Sequence, residues 1–242
     1  MSAISTSIPN ISNLALEIMK NAIDENEKSQ KITDEVSGPV ALAAAMSDFF
    51  DIAGGIDESG QQPPEEAMTE LADFTMDLFD RLASLLWHLD IHQHRDDMAA
   101  LFISVTVWFA RHNARLNNLK ATADSFAILV NAENDEGKLA QLTGFIDEIL
   151  ESTSDTIQKD EDRSDPWRPW RVLNLNSGVA ATRSLDAALM QEIFEKMEKR
   201  LAYELPGFFS DGKKQIDAQD VPQEVKDTMD KFAKKWPFFA IQ

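Results

Sequence analysis

Apolar residues along this chain recur at three- and four-residue steps, a period that predicts helices almost throughout. Leu14, Leu16, Ile18, Met19, Ala22 and Ile23 give a first helix over Asn13–Lys28 before the pattern turns polar. Ser37 followed by Pro39 reads as an N-cap with proline in the first turn, opening a helix over Val40–Ile52; a proline there gives up no hydrogen bond. Gly54 and Gly55 predict its end, and Ala53–Pro64 (AGGIDESGQQPP) predicts a mobile loop. From Pro64 onward Met68, Leu71, Leu78, Leu82, Leu85 and Leu89 form the strongest stripe, widened by Phe74, Phe79, Leu86 and Trp87. A stripe that wide predicts a helix buried on more than one side.

Arg95–Asn113 holds a β-branched run (Ile103, Val105, Thr106, Val107) that suits a strand as well as a helix. No second run exists to pair with it, and a lone strand leaves its backbone unsatisfied, so helix is predicted. Asn118–Ala132 with Gly137–Glu151, Trp170–Arg183 with Asp186–Leu201, and Pro206–Ala218 with Pro222–Trp236 read as successive antiparallel pairs, Asp220 capping the last helix. Thr153–Pro169 is polar and proline-containing and reads as a connector. Gly144 and Gly178 fall inside predicted helices, where glycine commonly marks the close approach of another helix. The expected fold is therefore all-α, with antiparallel helix pairs forming an α-solenoid-like or irregular helical array. The predicted loop divides it into N-terminal helices over 1–62 and a main array over 63–242, or leaves one continuous domain over 1–242.

Composition narrows the chemistry. The chain has 242 residues, 43% of them hydrophobic, and no cysteine. That is enough apolar content for a buried core, and it excludes disulfides, thiolate nucleophiles and cysteine-based metal sites. The formal charge is −19. It is uneven: residues 1–162 hold 10 basic and 30 acidic side chains, residues 163–242 hold 13 and 12. Such a balance argues against binding nucleic acid or an anionic membrane surface, both of which need lysine and arginine. Met1–Asn13 has no basic residue, and the longest apolar run, Ala99–Ala110, is too short to cross a bilayer as a helix, so a cytoplasmic location is expected. Phosphate-binding and dinucleotide-binding glycine loops, the serine-hydrolase elbow and the His-Glu-x-x-His zinc motif are all missing from the sequence.

One cluster is compatible with a metal. HLDIHQHRDD places His88 and His92 one helical turn apart, a spacing that suits Zn or Ni, with His94 or Asp96 completing the set. The alternative is a polar helix junction whose aspartates favour the next helix start. Two basic, amide-rich islands point instead to a protein or peptide partner: Arg111, Asn113 and Arg115 near His112, and Arg168, Arg171, Asn174 and Arg183 beside Trp167 and Trp170. Guanidinium and carboxamide groups on a concave helical face grip backbone and carboxylates; equally, they pair with local acids and cap helices. Arg171, Asn174 and Gly178 are spaced to share one face. Trp167 and Trp170 are either an exposed interface pair or a buried lid, and WPFF (Trp236–Phe239) either folds back or meets another subunit.

Trp170 and Leu173 match the opening Trp-x-x-Leu of tetratricopeptide repeats, so the array resembles that family in architecture; Asp186 stands where the repeat has a small residue, and the other pairs do not keep its register. DPWRPWRVLNLNSGVAATRS (Asp165–Ser184) resembles bacterial all-helical proteins without an assigned activity, over the last two-thirds of the chain. That resemblance implies no catalytic residue. Three functions follow as expectations: a non-catalytic interaction scaffold, a metal-binding protein or metal-dependent enzyme built on His88–Asp97, and an acidic mimic that occupies a basic partner.

Overall fold

A computed structural model of the chain describes residues 4–33 and 38–238. Within these residues the fold is all-helical, with eleven helices and one isolated backbone bridge between Leu116 and Thr153. Helix α1 (Ile8–Ser29) starts earlier than its apolar period suggests. Pro9 sits in its first turn, and buried Ile8 and Ile11 anchor that turn on the core. Ser37, expected to cap the next helix, lies outside the described residues; Gly38 occupies the N-cap of α2 (Pro39–Ser59).

Helix α2 overturns the loop expected at Ala53–Pro64. It runs through Gly54 and Gly55 and stops only at Gly60, which takes the left-handed conformation (φ 62°) that glycine adopts without cost. Tertiary contacts override the local glycine penalty: Ala53 is fully buried, Ile56 packs on the core, and Asp57 Oδ1 accepts a hydrogen bond from Trp108 Nε1 at 2.9 Å. Among the described residues α2 alone is long and apolar enough, by length and composition, to cross a membrane. Its inner face, including Leu42, Met46, Phe49 and Phe50, is packed on the core of this fold.

Helices α3 (Glu65–His88), α4 (Arg95–Arg111), α5 (Lys120–Ala132) and α6 (Glu136–Ser152) follow the predicted pattern within a few residues. The β-branched run of α4 is helical, and every residue from Met98 to Phe109 is buried. A helix apolar all round belongs at the centre, and α4 packs against α1, α3, α5 and α6. Its buried hydroxyls are paired: Thr106 Oγ1 donates to the Phe102 carbonyl and meets Thr122 Oγ1 at 2.8 Å, and Ser104 Oγ accepts from the Ser5 amide. The polar connector contains one short turn of helix, α7 (Asp155–Gln158).

The C-terminal part comprises α8 (Pro169–Arg183), α9 (Ala187–Arg200), α10 (Leu205–Asp217) and α11 (Gln223–Lys235). Asp186 caps α9 by accepting from the amides of Ala188 and Leu189. Asp220 makes no such cap; Pro222 holds the N-cap of α11. Two hydrophobic clusters result. The first spans α1 to α6 and one side of α8; the second joins α9, α10 and α11 to Ala181 of α8 around stacked Phe209 and Phe232, with Phe194 edge-on to both. Helix α8 is the wall between them. Asp147 on α6 ties the clusters at the surface by accepting from Lys196 and Arg200 of α9 at 2.5 and 2.8 Å.

Candidate functional site

The histidine junction does not gather into a ligand set. His88 Nδ1 faces the Ser84 carbonyl at 2.7 Å, back along its own helix. His92 is packed against the exposed Trp87 ring. His94 is buried and engaged at both nitrogens, by Asp97 Oδ2 and the Asn21 side-chain amide, each at 2.8 Å. Asp96 stands in the first turn of α4, where the helix dipole favours a carboxylate. Among the described residues no three His, Asp or Glu side chains converge as metal ligands. Helical spacing brought His88 and His92 near each other in sequence, but α3 ends at His88, so the one-turn register the metal reading needs is not formed.

The first basic island is held by local acids. Arg111 grips Glu148 through Nε and Nη2 at 2.6 and 2.9 Å and lies over the Phe145 ring. Glu148 in turn raises the guanidinium pKa above its ordinary value. Arg115 approaches Glu65 at 3.4 Å. Asn113 adopts the left-handed conformation (φ 64°) just past α4, a helix-ending role that asparagine tolerates.

The second island divides. Trp170 is the lid, 3% exposed with Nε1 donating to the Arg200 carbonyl; Trp167 is 73% exposed. Arg168 is a buried clasp. Its Nε donates to Asp160 Oδ1 at 2.6 Å, Nη2 to the Tyr203 hydroxyl at 2.8 Å, and Nη1 to the Asp165 carbonyl. Tyr203 also donates to Asp160, and Asp160 itself is left-handed (φ 47°), so the clasp holds a strained residue in place. Arg171 donates to both oxygens of Glu204, at 2.7 and 3.1 Å, and to the Pro166 carbonyl. The Arg171 hydrogen bonds hold the Glu204 carboxyl below the usual glutamate range. Arg183 donates to the carbonyls of Val130 and Glu133, closing the C-terminal end of α5.

Arg171, Asn174 and Gly178 lie on one side of α8, as their spacing predicts, but that side is not an open binding face. Arg171 is at the surface, whereas Asn174 is fully buried with Nδ2 on the Trp170 carbonyl. A Cβ on Gly178 would lie 2.6 Å from Phe208 and 2.7 Å from Met197 sulfur. Glycine there lets α8 approach α9 and α10; replacing Asn174 would disturb the core rather than a binding face.

Between α8 and α10 lies a groove of about 750 Å³ that includes Arg171 and Arg183 in its lining. The relative direction of its walls is set by two contacts. Arg171 meets Glu204 at the start of both helices, and Gly178 meets Phe208 further along, so the two helices run in the same direction. From Arg171 to Leu185 the groove follows α8 for about 20 Å at the helical rise. The floor is apolar, with Leu175, Val179, Phe208, Ile216, Val221 and Met229. Gly207 lines it, and a Cβ there would meet nothing within 4 Å.

Most of these floor residues carried no functional signal in the sequence, because apolar residues at helical spacing read as core. A second cleft of about 290 Å³ opens beside Trp87, Leu86, Ile91 and Met98. Comparison with family models, curated proteins and solved structures finds no match to this chain.

Proposed function

We propose that this chain is a non-catalytic helical interaction protein and that the α8–α10 groove is where it receives a protein partner. The observation that carries the reading is the groove itself: a cleft about 20 Å long with apolar residues in its floor, walled by two helices of like direction. Parallel first helices lining a groove, with their second helices behind, are the arrangement of paired-helix solenoids. Helix α8 begins at 169 and α10 at 205; α9 begins at 187 and α11 at 223. The constant offset supports a repeat-like pair of units at this end of the chain. The basic residues expected to grip a peptide serve the scaffold instead: Arg168 and Arg171 brace the groove's near end, and Arg183 its far end.

Gly207→Trp tests the reading. The indole enters open space, so the variant keeps the wild-type melting temperature while filling the groove. A partner captured by the wild type and by Gly207→Ala should be lost from Gly207→Trp. Equal capture of that partner by all three forms would refute the groove as its site.

A further inference from the structure

We infer that the groove is built for an amphipathic helix carrying basic residues, with its positive end at the Arg183 end of the groove. This rests on the groove being a docking site, as proposed above. The charge pattern carries it. Four carboxylates line the groove, Glu136, Glu204, Asp211 and Asp220, against two guanidiniums. Arg171 is neutralised by Glu204, whereas Arg183 donates to the main-chain carbonyls of Val130 and Glu133 and keeps its charge.

Two of the carboxylates are committed as well: Glu204 to arginine, and Asp211 to Lys214 at 2.8 Å. Among the described residues Glu136 and Asp220 make no ion pair, and neither side chain is hydrogen-bonded. Both belong to the Arg183 end, Glu136 two residues beyond Asn134, which Arg183 also contacts, and Asp220 just past the end of α10. Helices α8 and α10 end there while α6, α9 and α11 begin there, so their dipoles oppose one another and the side chains set the sign. Glu136 and Asp220 against Arg183 leave a side-chain balance of −1 at that end. A lysine or arginine, or the N-terminal pole of the bound helix, complements it, while leucine-like side chains at i, i+3, i+4 and i+7 fill the floor. A groove of this length takes about 13 helical residues.

The probe is a displayed library of random 16-residue peptides, selected on the full chain and counter-selected on Gly207→Trp. That variant has the same net charge, so peptides held by the acidic surface at large are removed. Expected survivors combine an apolar helical stripe with lysine or arginine clustered toward one end. Synthetic versions should bind about tenfold more weakly to Glu136→Gln/Asp220→Asn, and that difference should vanish at high salt. Survivors with acidic flanks, or affinity indifferent to the double variant, would overturn the inference and leave the groove standing. A selection that yields no peptide sensitive to Gly207→Trp would overturn the groove reading and the inference together.

Discussion

At the scale of single residues, the side chains with the most distinctive chemistry are doing structural work. Arg168 is the clearest. It joins the connector, the start of α8 and the α9–α10 turn through Asp160, Tyr203 and the Asp165 carbonyl. Arg168→Ala would leave Asp160 buried without its charge partner, and chemical denaturation should show a loss of about 3–5 kcal/mol. Glu204 gives the same clasp a pH dependence. Its carboxyl is held low by Arg171, so its contribution is present above the unfolded value of about pH 4.3 and disappears as pH falls through the native value. Glu204→Gln should therefore be less stable than the wild type by about 1–3 kcal/mol near neutrality and converge with it in acid; an equal gap at both pH values would contradict this.

Gly144 and Gly178 make a paired comparison. Gly178→Ala forces Phe208 and Met197 apart and should cost about 1–3 kcal/mol. Gly144→Ala meets nothing within 4 Å and should add up to about 1 kcal/mol in helix propensity. Both glycines carried the same signal in the sequence. Only the neighbour brought in by the fold separates them.

At the scale of elements, local periodicity located the helices well and failed where a distant partner decides. The stripe of α3 was legible because it depends on residues within a few positions, whereas the cap expected from Asp220 is not formed and Asp186 caps α9 without having been singled out. The last two turns of α2 were not. Gly54 and Gly55 argue locally for a break, yet the side chains of Ala53, Ile56 and Asp57 fix the segment to α4 and its surroundings. Asp57→Ala removes the acceptor for Trp108 Nε1 and the carboxylate that lies 3.1 Å from His112 Nε2. Amides of 54–59 should then exchange faster by hydrogen–deuterium mass spectrometry, with α3 unchanged; unaltered exchange would mean that helix propensity alone holds this end.

Across the whole molecule, two hydrophobic clusters share α8, and that sharing sets what a core mutation reaches. Phe194 sits at the centre of the second cluster, packed on Phe208, Phe209 and Phe232. Phe194→Ala should cost about 3–5 kcal/mol and raise exchange in α9, α10 and α11 first, leaving α3 to α5 protected. Uniform loss of protection would show one cooperative core. The groove lies against this second cluster, and it was invisible in the sequence for the same reason that the cluster was plain: Leu175, Val179, Phe208 and Ile216 obey helical spacing whether they face a core or a cleft. Gly207, in the first turns of α10, is among the helical glycines that no neighbour requires, and it was not singled out in the sequence.

The most direct measurement is methyl-detected NMR of the full chain, labelled at Ile, Leu, Val and Met, during titration with a peptide selected as above. Shifts should concentrate at Leu175, Val179, Ile216, Val221 and Met229 and be absent in Gly207→Trp. Shifts centred on Leu86, Ile91 and Met98, in the cleft beside Trp87, would contradict the α8–α10 groove as the docking site.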